Sequence, residues 1–460
     1  MPNRAKTRTH PTTTTAIAAG TALAIAVIAG NTALAQSTDW EFFPTTSPYP
    51  QNIPQGSDAP ADDEVWVVGN TFFCDPFPIC FDFTFAQRFD GTRWNFVATP
   101  DINGSSLYGV KKLPDGDVLA VGSYNAGADS QTLALLYDGS SWAQIDSPTR
   151  FGGAGFSGMG QAGDDIWAVG SQATQAPPPS ATGQALAARW NGSGWDRFQP
   201  EPLVTGGRAY NTPRDVAGVS ADDAWAVGTA QQTGVGGFGP TAYITRWQGE
   251  RWELVDIGLR EVAQLSDVVA IASDDVWAVG SITTTDLGSQ PLILHWDGSD
   301  WEIVDTPVLP DGRADLRAVA ARSATEIYAS GTDADPDGFP RALMLRYDGT
   351  SWQRVDVATP TDGVQQWFRT MSVTPSGDVW AMGQYFRPDE SGVYVDTQRL
   401  SATASCAADL DGDGALTVFD FLEFQNRFDA GDARADFDGD GELTLFDFLA
   451  FQNVFDAGCP

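Results

Sequence analysis

The chain has 460 residues, with 60 acidic side chains against 26 basic ones and a formal net charge of −34. That charge repels phosphate backbones and excludes nucleic acid as a natural partner, whereas 42% apolar residues suffice for a sizeable core and exclude bulk disorder. Two histidines leave imidazole chemistry hard to staff, and three lysines (Lys6, Lys111, Lys112) beside 48 Gly, 28 Pro and 16 Trp favour short strands and turns over helices.

The first segment reads as an export signal over residues 1–35. Arg4, Lys6 and Arg8 precede an apolar run from Ala16 to Ala29, followed by the small-x-small stretch Ala33-Leu34-Ala35. The run is too short to cross a bilayer, and nothing later approaches a transmembrane span. The predicted localisation is therefore secreted or surface-associated, with the four cysteines in an oxidising compartment.

Residues 36–402 carry a repeat. An apolar-Trp-Ala-Val-Gly phrase recurs seven times, among them Val65-Trp66-Val67-Val68-Gly69, Trp167-Ala168-Val169-Gly170, Trp225-Ala226-Val227-Gly228 and Trp380-Ala381-Met382-Gly383, at spacings of 48 to 58 residues. A second phrase interleaves, as in Tyr137-Asp138-Gly139 to Trp142 and Trp296-Asp297-Gly298 to Trp301. Fifteen of the 16 tryptophans fall on these registers, which removes chance as an explanation. A period near 50 with four strand-like stretches predicts a mainly β fold, a seven-bladed β-propeller. The seventh unit lacks its last strand, and Trp40-Glu41-Phe42-Phe43-Pro44 matches the missing one. Closure by the N-terminal strand is expected, since it removes a free sheet edge. The phrases resemble those of kelch-type propellers, with a single glycine where kelch units carry a pair, and are similar to the Asp-box of sialidase-like propellers with altered spacing.

Within such a unit the first-to-second and third-to-fourth connections are short, and the other two are long and irregular. The long-loop face is where binding is expected. Eleven residues before the second-strand aromatic stand Arg214, Arg317 and Arg369, with Tyr108, Phe156 and Ser266 at the same offset in other units. Three arginines converging on a channel mouth could hold an anionic ligand such as a uronic or sialic acid; ion pairs with Asp215 and Asp315 are the alternative. Trp367, off the repeat register beside Arg369, is expected to be exposed and to stack on a sugar. Cys74 and Cys80 bracket Asp-Pro-Phe-Pro-Ile and suggest a local disulfide; no histidine neighbours them to make a metal site.

Residues 403–460 predict a small α domain that binds two calcium ions. Asp409, Asp411, Asp413, the Ala415 carbonyl, Thr417 and Asp420 place oxygens at loop positions 1, 3, 5, 7, 9 and 12, with Gly414 at the sharp turn. Asp436, Asp438, Asp440, the Glu442 carbonyl, Thr444 and Asp447 repeat the set. Each loop runs into a near-duplicate helix, Phe421 to Phe428 and Phe448 to Phe455. With no clear preceding helix and Asp as last ligand, the region resembles a dockerin type I module, in a variant ending in Gly-Cys. The resemblance implies calcium-dependent folding and a cohesin-like or other surface-anchoring partner, met through positions 10 and 11. Those positions are Val418-Phe419 and Leu445-Phe446, which either dock a protein or pack inside the module. Cys406 and Cys459 bracket the module, and a disulfide between them would clamp its ends.

Two functional classes follow. The first is a secreted, non-catalytic propeller that binds a glycan or protein and is attached by its calcium module. The second is a propeller glycosidase or lyase carrying that module. Against catalysis, His295 is the one histidine after the signal and sits in a strand-like stretch, where a structural role is expected; the ligand inventory excludes a copper-radical oxidase. Acids are everywhere, so a two-carboxylate mechanism stays open.

Overall fold

The computed structural model describes residues 40–45, 51–74, 80–127, 129–149, 152–173, 182–205, 208–233, 239–259, 261–284, 288–307, 309, 313–334, 338–360, 365–386, 393–402, 408, 410, 416–430, 435–437 and 443–457. The export signal expected over residues 1–35 lies outside them.

Antiparallel four-strand meanders follow one another along the chain. The first unit orders Asn52–Ala61, Glu64–Cys74, Cys80–Phe89 and Trp94–Val97; the second Ser106–Lys112, Val118–Ala126, Asp129–Tyr137 and Trp142–Gln144. The third runs Ala154–Ala162, Asp165–Ala173, Gly183–Trp190 and Trp195–Phe198, and the fourth Arg208–Ser220, Asp223–Thr233, Thr241–Trp247 and Trp252–Leu254. These two join into one eight-stranded sheet through parallel contacts at Ala162↔Gly218 and Gly183↔Tyr210. The fifth comprises Ala263–Ala272, Asp275–Thr284, Gly288–Trp296 and Trp301–Ile303, and the sixth Ala314–Ser323, Glu326–Ala334, Pro340–Tyr347 and Trp352–Arg354. The last unit has Gln365–Val373, Val379–Phe386 and Val393–Leu400, and takes its fourth strand from Trp40–Phe42, with Trp40 opposite Leu400 and Phe42 opposite Gln398. The edge left by the last repeat is thus covered by the start of the fold.

The recurring tryptophans make the core between neighbouring sheets. Trp225 of the fourth unit packs against Trp296 and Trp301 of the fifth at 4.9 and 5.2 Å between centroids; Trp167 meets Trp247 and Trp252 of the fourth at 5.0 and 5.1 Å. Truncating such a side chain to alanine costs on the order of 3–5 kcal/mol. The second phrase is a hairpin turn. Asp348 Oδ1 accepts the Thr350 and Ser351 N–H groups and the Thr350 hydroxyl, and Gly349 follows at φ 89°, a conformation glycine adopts without strain.

The C-terminal region holds two helices, Val418–Ala430 and Leu445–Ala457. Thr417 and Thr444 cap them, each hydroxyl accepting the N–H two residues on (Phe419 and Phe446, both 3.1 Å). Phe424 and Phe451 stack at 4.5 Å, surrounded by Phe437, Phe448 and Phe455. The duplicated sequence gives a duplicated core.

Candidate functional site

The first strand of every unit lines one cavity of about 330 Å³. Each of those strands carries a β-bulge, and each bulge sits beside the glycine that ends the repeated phrase. In the fourth unit Pro213 pairs with Gly228 and Asp215 with Val227, leaving Arg214 as the extra residue. In the last, Phe368 pairs with Gly383 and Thr370 with Met382, leaving Arg369. A Cβ on Gly383 would lie 1.9 Å from the Trp367 carbonyl oxygen, and one on Gly228 2.1 Å from that of Thr212. The phrase therefore needs glycine because the bulge brings the facing backbone too close for any side chain. The other units shift register in the same way.

The bulged residues are Gln55, Tyr108, Ser157, Arg214, Ser266, Arg317 and Arg369, and all of them also line the wider mouth, a cavity of about 750 Å³. Arg214, Arg317, Arg369 and Tyr108 thus line one cavity. Phe156 is a correction. It is 1% exposed, and Ser157 takes the ring position instead. The third unit closes its first hairpin at Ala162↔Asp165 with one bulge, where the fourth has a second at Gly218/Ser220. Its spacing from ring to tryptophan is one residue shorter.

The ring is asymmetric. Its charges come from the fourth, sixth and seventh units, opposite neutral Gln55, Tyr108 and Ser157. Arg317 pairs with Asp315. Arg369 Nε donates to Gln384 Oε1 at 2.9 Å, and Trp367 Nε1 donates to that same oxygen at 2.9 Å. Gln384, 4% exposed, fixes its own amide by donating to the Asn52 carbonyl. Trp367 is consequently half-buried in a strand, where an exposed loop residue was expected. Among the described residues Arg214 has no hydrogen-bonding or ion-pair partner. Removal from bulk water, then the Arg317 charge, hold its guanidinium below the ordinary arginine range; Arg369 is lowered by the same two causes in the same order. Of the alternative ion pairs, that of Arg317 with Asp315 forms, and that of Arg214 with Asp215 does not.

Asp215 turns down the channel to Asp267. Burial first, then the charge of Asp267 and a hydrogen bond to it, push Asp215 well above the usual carboxylate range, and burial raises Asp267 as well. Asp267 Oδ2 accepts the Val319 N–H at 2.7 Å, stitching the fifth unit to the sixth. Asp58 does likewise between the first two units, accepting Lys112 N–H while binding Lys111 Nζ at 2.7 Å. Burial opposes the charge on Lys111, but Asp58, with Asp215 and Asp267 beyond it, raises its pKa overall. Below the cationic arc the channel is acidic and internally paired. Sequence reasoning missed this floor; the available signal was that Asp215 and Asp267 each directly follow a ring residue.

His295 stacks on Trp277 at 4.1 Å and bonds Asp275 Oδ1 at 2.9 Å, a contact between framework residues. In the C-terminal region Asp420 and Asp447 are fully buried, their oxygens accepting N–H groups of Leu410 and Thr417, and of Phe437 and Thr444, at 2.7 to 2.8 Å. Buried, amide-oriented carboxylates suit a hard cation. Asp436 is described with them, while Asp409, Asp411, Asp413, Ala415, Asp438, Asp440 and Glu442 lie outside the described residues, as do Cys406 and Cys459 and the side chains of Cys74 and Cys80. Val418, Phe419, Leu445 and Phe446 are 62–69% exposed, so they do not pack inside. Among the described residues no helix is long and apolar enough to cross a membrane.

No protein-family model and no curated protein matches the chain. Among solved structures, an ulvan lyase from a new family of polysaccharide lyases, bound to GlcA(1-4)Rha3S, is 9% identical, with a TM-score of 0.51, covering 75% of this chain and 94% of the lyase. The polysaccharide lyase Uly1 is also 9% identical, with a TM-score of 0.46, covering 77% and 91%. The first likeness shows a mainly β fold of propeller type. Identity this low carries the fold alone.

Proposed function

We propose that this chain is an exported, non-catalytic seven-bladed β-propeller that holds an anionic glycan or protein ligand at its long-loop mouth. A calcium-dependent, dockerin-like module would attach it to a surface-anchoring partner of cohesin type or another kind. The observation that carries the reading is Arg214, a guanidinium facing a 750 Å³ mouth with no partner among the described residues and two further arginines on the same ring. A charge in that position gains most from an incoming carboxylate or sulfate. Blade number is supported by the strands that line one channel, and docking by the exposed apolar pairs at both helix starts. The calcium sets, two ions in all, rest on loop spacing and on the buried Asp420 and Asp447.

One observation favours a second reading, a glycosidase or lyase: two carboxyl groups, Asp215 and Asp267, meet on the channel wall under the mouth, where burial raises both. A glycan array with and without chelator separates the two. The expected result is binding of uronate- or sulfate-bearing glycans that survives chelation, with loss of helix signal from the C-terminal module. Cleaved products from a bound polysaccharide would overturn the non-catalytic reading. Binding confined to neutral glycans would overturn the anionic one.

A further inference from the structure

A second cavity, of about 550 Å³, opens between the fifth and sixth units on the side of the mouth. Arg317 lines both cavities. Four residues before it, at the start of the same unit, stands Arg313, exposed and without a carboxylate partner among the described residues. Its backbone is held against the fifth unit by the bridge Ser289↔Arg313, reinforced by Ser289 Oγ donating to the Ala314 carbonyl at 3.0 Å.

The described acids in that wall, Asp315 and Asp333, are already taken. Asp333, 4% exposed, receives Arg341 at 2.9 and 2.6 Å and Arg354 at 2.6 Å, so one buried carboxylate faces two guanidinium groups. Asp315 is paired through Nε of Arg317, which leaves the terminal nitrogens of that fork available. Among the described residues both acids of the second cavity are therefore paired, which leaves Arg313 as its unpaired charge, and Arg317 borders both cavities.

We infer that the two cavities are successive subsites for one extended polyanionic chain, with Arg214 and Arg369 holding one charged unit, Arg317 the junction and Arg313 the next unit. This deepens the anionic reading of the mouth and rests on it. A ligand carrying one charge would fill the mouth alone. A polymer with a carboxylate or sulfate on successive units would engage both, the second contact being intramolecular once the first is made.

The test uses the full chain and oligogalacturonates of one, three and six residues, titrated at low and physiological salt. Wild type is expected to bind the hexamer at least tenfold tighter than the monomer, with a steeper salt dependence. Arg313→Gln should remove most of that gain and leave monomer affinity unchanged; Arg313→Ala should repeat the result. Arg214→Ala should weaken every length alike. A length dependence unaffected by either Arg313 variant would overturn the second subsite while leaving the mouth intact. Monomer affinity indifferent to Arg214→Ala, or no binding at any length, would overturn the mouth reading and the subsite with it.

Discussion

The two ends of each four-strand unit obey different rules. At the end of the short turns the same chemistry recurs: an Asp or Asn (Gln248 in the fourth unit), a glycine at positive φ, then a tryptophan. The Thr350 hydroxyl and then the Ser351 N–H hold Asp348 down at about 2; Asp297, with the Asp300 N–H as chief donor, and Asp138, through Ser140, are also at about 2. At the other end the glycine and the bulge are repeated, while the residue the bulge presents changes from unit to unit: Gln55, Tyr108, Ser157, Arg214, Ser266, Arg317, Arg369. What is repeated builds the scaffold, and what varies inside the repeat is the site. Acids recur at the turns of one end, and Asp58, Asp215 and Asp267 are paired inside the channel, while the ring at the mouth carries three arginines.

The contrast can be broken most severely at a scaffold glycine. Gly383→Val forces a side chain onto the Trp367 carbonyl, and unfolding experiments should show a loss of roughly 3–5 kcal/mol. Gly194→Ala, at a turn where an added Cβ meets nothing within 4 Å, should change stability by less than about 0.5 kcal/mol. Equal effects at the two positions would contradict the assignment of the bulge as the constrained element.

A comparable effect, but one set by pH, should come from the one unit that breaks the scaffold rule. Opposite the phrase glycine, the third strand places Phe85, Leu133, Leu186, Tyr243, Leu292 and Leu343, but in the last unit Asp396. It is fully buried, and burial raises it to about 7 against the opposing hydrogen bonds from Gln366 and Gln398. Between about pH 4 and 7 the folded state keeps a proton that the unfolded chain releases, so stability falls as pH rises through that window and levels above it. Across the whole window the loss is about 4 kcal/mol. Asp396→Asn should flatten the profile there. A slope that is unchanged in the variant would assign it elsewhere.

Much of the fold was legible in the sequence because its constraints are steric and repeated. Gly383 and Gly228 are glycines because a carbonyl lies under them, and Trp40 could be matched to the missing strand because its partners use the same packing. The site was legible only as far as spacing is constant. Arg214, Arg317, Arg369 and Tyr108 follow the common offset, whereas Ser157 was displaced by one hairpin that lacks a second bulge. Trp367 looked like a loop residue, yet the Gln384 amide draws it and Arg369 into one strand. The Asp215–Asp267 pair joins residues of different units, a contact no local pattern announces. In the C-terminal region, position 9 of each loop proved to cap its helix through Thr417 and Thr444, a role that chain spacing alone leaves merged with metal ligation.

The central claim is that ligand recognition lies in the cationic half of a ring whose other half is neutral. Its most direct test is calorimetric titration of galacturonate into four variants, Arg214→Ala, Arg369→Ala, Gln55→Ala and Ser157→Ala. Arg214→Ala and Arg369→Ala should each weaken binding about tenfold or more, as expected for loss of a charge-assisted contact, without lowering the unfolding temperature, since each relieves repulsion from Arg317. Gln55→Ala and Ser157→Ala should change affinity less than about twofold. Equal losses in both halves of the ring, or none in either, would contradict the account.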